Sequence, residues 1–302
     1  MSFIVSTENL SKQYGERTVV RNLNLRIPTG SIYGFLGPNG SGKSTTMKML
    51  LSLIRPTSGQ VSIMGEVMNR QSRRHLLAHI GSLIESPPGY GHLTGAENMR
   101  IVQRMLALNN NQVLHAIRTV RLEAHLDKKV RNYSLGMKQR LGIAMALARE
   151  PQLLILDEPT NGLDPAGIEE MRGLLAHLAR QGVTVMVSSH LLGEIDQVAT
   201  VLGIVAGGAM IFQGSRDDLF AATTPDILIR CAYPVQAQQL ISGSYRSTLV
   251  NEQLVKVSDI DDPSTAELVK YLVSHGIDLY EVQREQQTLE DAFMRLTQGG
   301  GL

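Results

Sequence analysis

A glycine-rich segment is the first feature of this 302-residue chain that could do chemistry. The segment reads Gly37-Pro38-Asn39-Gly40-Ser41-Gly42-Lys43-Ser44-Thr45. It matches the pattern of phosphate-binding loops, in which glycines let successive backbone N–H groups turn toward an anion. Lys43 would reach the β- and γ-phosphates of a nucleoside triphosphate, and the Ser44 hydroxyl would ligate Mg²⁺.

Two further motifs carry side chains suited to the same reaction. The apolar run Leu153–Leu156 ends in Asp157 and Glu158. Asp157 could hold Mg²⁺, directly or through water, and Glu158 could polarise a water for attack on the γ-phosphate. His190 follows another apolar run, and its neutral ring can donate from one nitrogen and accept at the other. We interpret His190 as a γ-phosphate sensor, although a lone histidine is more often a surface or core residue.

The elements around these motifs must bring them together. Ser31–Leu36 predicts a buried strand that enters the phosphate loop, and Lys43–Ile54 predicts a helix that leaves it with its positive dipole end at the phosphates. Short, continuously apolar strands that alternate with helices indicate a parallel α/β sheet covered on both faces. Ligands of such sheets bind beyond the carboxyl ends of the strands. We therefore expect the three motifs to meet at one edge of the sheet.

Other segments predict what surrounds that sheet. Residues 3–10 and 17–27 predict an antiparallel β subdomain, and residues 88–150 predict a helical subdomain inserted in the sheet. The character changes near residue 217. Residues 218–302 predict a small α+β accessory domain, ferredoxin-like in its order of strands and helices. We thus expect a nucleotide-binding domain over residues 1–217.

Composition and charge exclude several classes of protein. The net charge of +1, the 4% aromatic content and the lack of tryptophan argue against a nucleic-acid partner. Cys231 is the one cysteine, so no intrachain disulfide is possible, which fits a reducing compartment. Met1–Glu8 lacks the basic and long apolar regions of a signal peptide. The longest uncharged run, Gln197–Ser215, contains four glycines, and we predict two strands there rather than a membrane span.

Two further sites, at Ser134 and at Tyr14, allow either a functional or a purely structural interpretation. We predict that Ser134 is an N-cap and that Gly136 lies in the first turn of the helix it caps, whose terminus would be a second anion-binding site. Because this terminus lies in the helical insertion, it suggests a nucleotide shared between two subunits, although a plain capped helix is the simpler interpretation. Tyr14 lies on a predicted turn, where it could stack on an adenine ring or be an ordinary half-buried tyrosine.

In combination, the motifs resemble those of ATP-binding-cassette (ABC) ATPases, the nucleotide-binding subunits of membrane transporters. The resemblance covers roughly residues 3–215. It implies an ABC ATPase fold, adenine stacking by Tyr14, and a signature segment, Tyr133–Met137, that faces the ATP of a partner subunit. It also implies that Asn161–Asp164 joins the two sites across the dimer. By the same resemblance, Glu158 would be the catalytic base and His190 would be the switch histidine.

Two positions depart from the family pattern. The usual Leu-Ser-Gly-Gly-Gln signature is Tyr-Ser-Leu-Gly-Met here, which keeps Ser134 and Gly136. Glu85 stands where the family usually has a glutamine that senses Mg²⁺ and the attacking water. A glutamate can still ligate Mg²⁺, but when ionised it cannot donate a hydrogen bond. This replacement resembles the subgroup that exports bacitracin-type or lantibiotic peptides and confers self-immunity; a cassette of another substrate class or a local misalignment is the alternative.

The resemblance implies a working arrangement for the protein. Two copies would bind two molecules of ATP with Mg²⁺ and drive a separate integral membrane permease from the cytoplasmic face of the membrane. The substrate would be a peptide antibiotic or another amphipathic compound. Alternatives are export of drugs or lipids, import, and a non-transport cassette that acts on ribosomes or DNA. The last usually has two cassettes or a long coiled coil, and this sequence has one phosphate loop and no sustained heptads.

Overall fold

The computed structural model describes residues 2–190, 193, 197–221, 224, 226–285 and 288–298. The chain divides into two compact units, residues 1–215 and 216–302. In the first unit the strands are β1 (Phe3–Tyr14), β2 (Arg17–Leu23), β3 (Arg26–Pro28), β4 (Ile32–Leu36), β5 (Ser58–Ile63), β6 (Glu66–Val67), β7 (Ile80–Leu83), β8 (Leu153–Leu156), β9 (Thr184–Ser189), β10 (Val201–Ala206) and β11 (Ala209–Gly214). Its helices are α1 (Lys43–Leu50), α2 (Arg73–Ala78), α3 (Gly95–Leu106), α4 (Asn110–Thr119), α5 (Leu135–Leu147) and α6 (Pro165–Arg180).

The central sheet carries the predicted motifs. Its order among the described residues is β11-β10-β4-β9-β8-β7, with β11 antiparallel and the other neighbours parallel. Every residue of β4, β8 and β9 is buried, which explains the continuous apolar runs in the sequence. The predicted parallel α/β core is confirmed. The phosphate loop, Asp157 and His190 directly follow β4, β8 and β9, so these three motifs lie at one edge of the sheet.

The antiparallel sheet has the order β2-β1-β5-β6, with β3 paired to β1. The sequence-based bounds were wrong in two places here. Strand β1 continues to Tyr14, where a turn was expected, because its last residues pair with β2. The single strand expected over residues 17–27 is divided. At the break the Thr7 hydroxyl donates to the carbonyl oxygen of Leu23 (2.7 Å) and accepts from the N–H of Leu25 (2.8 Å).

Helices α3, α4 and α5 form the predicted helical insertion, together with short 3₁₀ turns at Glu123–His125 and Val130–Asn132. Helix α1 ends at Leu50, one turn before the predicted end. The chain leaves the helix at Ser52, which has a left-handed φ of 55°. Within the described part of the chain, no helix has the length and apolar character needed to cross a membrane.

The second unit contains α7 (Arg216–Ala221), β12 (Ile227–Cys231), α8 (Pro234–Ile241), β13 (Ser247–Asn251), β14 (Leu254–Val257), α9 (Asp262–Ser274), β15 (Leu279–Arg284) and α10 (Leu289–Gln298). From β12 to β15 the order βαββαβ and the antiparallel sheet β13-β14-β12-β15 give the expected ferredoxin-like arrangement. Its core includes Ile229, Val255 and Leu272. Strand β13 was not predicted, because its residues are mostly exposed at the edge of the sheet and show no clear alternation.

Candidate functional site

The phosphate loop packs tightly against neighbouring backbone. Gly42, the N-cap of α1, has a left-handed φ of 101°, and a Cβ there would lie 2.9 Å from the carbonyl oxygen of Val19. A Cβ on Gly37 would lie 2.3 Å from the carbonyl oxygen of Val205. Both positions therefore require glycine. The close approach holds the loop between β2 and β10, with the first N–H groups of α1 free of intrahelical partners.

Lys43 is the buried cation of the site. Its side chain is only 6% exposed, and its ammonium group donates to the carbonyl oxygens of Gly37 (2.7 Å) and Pro38 (3.3 Å). The same nitrogen lies 3.5 Å from Oε1 of Glu158. The loop's lysine and the acidic residue after β8 are thus brought together as the sequence predicted.

Glu158 and His190 lie in contact at the ends of β8 and β9. Oε2 of Glu158 is 2.5 Å from Nδ1 of His190. The Ser188 hydroxyl donates to Oδ1 of Asp157 (2.7 Å) and accepts from the N–H of Glu158 (2.9 Å). One hydroxyl therefore orients two consecutive acidic residues. Sequence reasoning missed Ser188, although a polar residue two positions before His190 in an apolar strand was a signal for it.

These residues surround an open pocket of about 590 Å³. Its lining includes every residue from Asn39 to Thr45 except Ser41. The other lining residues are Arg17, Val19, Glu158, Asn161 and His190. Arg17 and Asn161 were not among the predicted ligands. The pocket fits a nucleoside triphosphate in two respects. Its cations, Lys43 and Arg17, suit a polyphosphate, and the buried Ser41 hydroxyl of the loop has no hydrogen-bond partner among the described residues.

Several predicted site residues do not line this pocket. Gly37, Pro38 and Ser41 belong to the phosphate loop itself, and Asp157 is buried beside Glu158, whereas Tyr14 and Glu85 lie elsewhere. Tyr14 is half exposed at the end of β1, and the ammonium group of Lys12 lies 4.8 Å from its ring centroid. Glu85 forms an ion pair with Lys48 of α1, and this hydrogen bond raises the pKa of Lys48. Adenine stacking by Tyr14 and Mg²⁺ binding by Glu85 therefore stay predictions.

A second pocket, of about 630 Å³, brings together the three remaining predicted residues, Ser134, Gly136 and Asp164. Ser134 caps α5 by accepting from the N–H of Met137 (3.3 Å), and Asp164 caps α6 by accepting from the N–H of Gly167 (3.1 Å). Two helix N-termini therefore open on one pocket. None of its lining residues is shared with the phosphate-loop pocket of the same chain.

Comparisons with known proteins agree with this geometry. The model of the ABC transporter family matches residues 20–161. The chain is 39% identical over 307 residues to the bacitracin transport ATP-binding protein BcrA of Enterococcus faecalis, covering 100% of this chain and 99% of that protein. It is 44% identical over 215 residues to the lantibiotic transport ATP-binding protein SrtF of Streptococcus pyogenes, covering 71% of this chain and 92% of that protein.

A solved structure gives the same result for the fold. The dimeric ATP-binding cassette MJ0796, in a post-hydrolysis state bound to ADP and Pi, matches with a TM-score of 0.63 and 26% identity, covering 70% of this chain and 98% of that one. The fold and the phosphate-loop pocket thus define an ATP-hydrolysing cassette. The chain belongs to the ABC transporter family. The fold, class and ATPase activity predicted from the sequence are confirmed, whereas the roles of single residues stay predictions.

Proposed function

We propose that this chain powers a separate membrane permease as one of two identical ATPase subunits. The observation that carries the proposal is the separation of the two pockets. The phosphate loop, Glu158 and His190 line one pocket, and Ser134 and Asp164 line the other. A nucleotide held by the first pocket of one copy would be completed by the second pocket of its partner, so ATP would close the dimer.

In this proposal each side chain has one task. Lys43 binds the β- and γ-phosphates, and the helix N-termini at Ser134 and Asp164 meet them from the other copy. Ser44 and Asp157 supply oxygens of the kind that Mg²⁺ prefers, and the ion would neutralise phosphate charge. Glu158 accepts the proton of the attacking water.

The substrate class is supported by the relatives. The proteins BcrA and SrtF are named for bacitracin transport and lantibiotic transport. We infer that this chain likewise serves the export of a peptide antibiotic, and that it works at the cytoplasmic face of the cell membrane through its permease. Glu85, which stands where the family usually has a glutamine, also supports that subgroup.

The substitution Glu158→Gln tests the hydrolytic part of the proposal. The amide cannot accept the proton, so we expect ATP turnover to fall on the order of a hundredfold or more while ATP still binds. Light scattering should then detect an ATP-dependent dimer that persists. The matched control is Glu169→Gln, which changes a largely exposed glutamate of α6 outside the phosphate-loop pocket. Near-normal turnover by the Glu158→Gln variant would contradict the assignment.

The same pair of variants tests the transport part in cells. The wild-type chain should co-purify with a membrane permease, and co-expression with that permease should raise the concentration of bacitracin or a lantibiotic that inhibits growth. Glu158→Gln should abolish this protection, and Glu169→Gln should keep it. Protection against lipophilic drugs but against neither peptide would instead favour a drug exporter.

A further inference from the structure

Tyr133 immediately precedes Ser134 and departs from the family's usual leucine. Its side chain is only 4% exposed, and the residue has extended backbone dihedrals between a 3₁₀ turn and helix α5. The ring therefore lies inside the helical subdomain, one peptide bond away from a residue that faces the second pocket.

The tyrosine hydroxyl has one hydrogen-bond partner and one close packing contact. It donates to the carbonyl oxygen of His125 at 2.7 Å. Burial, with the nearby Asp127 carboxylate adding to it, raises the pKa of Tyr133, so the hydroxyl keeps its proton. On its other side the hydroxyl lies against Gly95, the first residue of α3, where a Cβ would be 2.2 Å from the phenolic oxygen. The tyrosine fits because position 95 has no side chain.

The segment before Tyr133 is also bonded to the segment before α3. Thr94 and Lys129 form an antiparallel bridge. The N–H of Val130 donates to the carbonyl oxygen of Leu93, and the N–H of Arg131 donates to that of Gly91, both at 2.9 Å. These bonds make residues 91–94 and 129–131 a single backbone unit, which ends at Tyr133.

The same unit extends back toward Glu85. The buried Asn98 amide accepts from the N–H of Tyr90 (2.8 Å) and donates to the carbonyl oxygen of Thr94 (2.9 Å). Pro88 packs on α5, where a Cβ on Gly142 would lie 3.0 Å from its ring. The loop from β7 to α3 thus packs against α5, and it is hydrogen-bonded to residues 129–131, the segment that precedes α5.

We propose that Tyr133 is a positioning residue. Its hydroxyl holds the Ser134 cap to the backbone at His125, and the backbone bonds between residues 126–131 and residues 91–96 connect that point to the loop over residues 85–94. Movement of that loop would then move Ser134, and with it the contact to the nucleotide held by the second copy. The inference rests on the proposed function, because it requires that Ser134 meet the partner's ATP.

The substitution Tyr133→Phe removes the hydroxyl and keeps the ring. We expect the kcat of the full-length chain to fall about fivefold, the effect of one lost hydrogen bond of ordinary strength. In the Glu158→Gln background, the ATP concentration that gives half-maximal dimerisation should rise about fivefold for the same reason. Binding of a fluorescent ATP analogue to the monomer should not change, since the phosphate-loop pocket is intact.

Tyr33→Phe is the matched control. The Tyr33 hydroxyl is also buried and donates to Oε1 of Gln213 at 2.8 Å. Both variants should lower the Tm by similar amounts, because each loses one buried hydrogen bond. Only Tyr133→Phe should shift kcat and dimerisation. If both variants shift them equally, or if neither does, the positioning role is wrong.

Gly95→Ala provides a second, independent measurement. The added methyl group should displace the Tyr133 hydroxyl and impair dimerisation at least as strongly as Tyr133→Phe does. In the double variant the methyl group gains room, so the two effects should be far less than additive. Additive effects would overturn the inference.

The Glu158→Gln chain separates a failure of this inference from a failure of the proposed function. If that chain does not dimerise with ATP, the proposed function fails. If it dimerises and Tyr133→Phe changes nothing, only this inference fails.

Discussion

At the scale of single residues, one hydroxyl organises the acidic pair of the nucleotide pocket. Ser188 is completely buried in β9 and bonds to the carboxylate of Asp157 and to the N–H of Glu158. Glu158 itself has a left-handed φ of 50°, which an ordinary residue adopts only when its surroundings hold it there. Ser188 therefore fixes the direction of the Asp157 carboxylate and the backbone position of Glu158.

The substitution Ser188→Ala should reduce kcat on the order of tenfold to a hundredfold, since small displacements of catalytic groups are costly. The free energy of unfolding should fall by about 1–2 kcal/mol, because the N–H of Glu158 loses its partner. Steady-state ATPase assays and urea unfolding would measure the two effects.

A control for this prediction lies at the other end of the same strand. The Thr184 hydroxyl accepts from the N–H of Gly30 at 2.9 Å and is equally buried. Thr184→Val should cost similar stability and leave kcat unchanged. A kcat for Ser188→Ala that matches the control would contradict the role given to Ser188.

The residues that the sequence foresaw share one property. Lys43, Glu158 and His190 each follow a buried strand closely, and parallel strands place their carboxyl ends at one edge. The Glu85–Lys48 ion pair could not be foreseen in this way, because it depends on how α1 meets the loop after β7. Ser188 was missed because a hydroxyl that orients other side chains has no spacing rule.

At the scale of elements, burial on both faces decided which strands were predictable. Strand β8 was predicted with its observed bounds, because it is a compact apolar run whose residues are all buried. Strand β13 was missed, since an exposed edge strand needs few apolar residues. The early end of α1 was missed as well, because the left-handed residue that closes this turn is Ser52 rather than a glycine.

The strands of the second unit are joined by an ionic cluster. Lys256 of β14 lies 3.0 Å from the carboxylate of Asp226, which is 4% exposed, and it also pairs with Glu285. The hydrogen bond to Glu285, followed by the interaction with Asp226, raises the pKa of Lys256 against the lowering effect of burial. The cluster ties the ends of three strands together.

Lys256→Met should therefore destabilise the second unit by about 2 kcal/mol at neutral pH, because Asp226 loses its cation. A raised lysine pKa stabilises the folded state below the unfolded value of about 10.4, and this contribution is lost as pH rises through the folded pKa. The difference in unfolding free energy between wild type and Lys256→Met should therefore become smaller as the pH rises through the folded-state pKa of Lys256.

Chemical unfolding at pH 7 and pH 11 would measure this difference. Lys270→Met is a suitable control, since Lys270 is an exposed lysine of α9 that forms no ion pair with the described residues. A difference between wild type and Lys256→Met that stays constant with pH would contradict the assignment.

At the scale of the whole molecule, the chain contains two units with separate cores. The core of the second includes Ile229, Cys231 and Leu272, all contributed by residues after 226. We expect a fragment of residues 226–302 to fold alone and to unfold cooperatively on heating. Circular dichroism would follow the transition.

Cys231 supplies a second measurement for that fragment. Its thiol is buried, and burial raises the pKa of Cys231, so a thiol reagent should react slowly with the folded fragment and rapidly in urea. Equal reaction rates in buffer and in urea, or a melting curve without a transition, would show that this unit needs the rest of the chain.

The strand order has a consequence for the newly made chain. Strand β4, which holds the phosphate loop, pairs with β9 and β10, and these strands begin at Thr184 and Val201. A ribosome releases the phosphate loop long before it releases these two neighbours. Contacts between such distant segments form late in folding. We therefore expect a nascent chain to bind ATP only after almost the whole first unit has been synthesised, so that nucleotide binding would report completed translation of that unit.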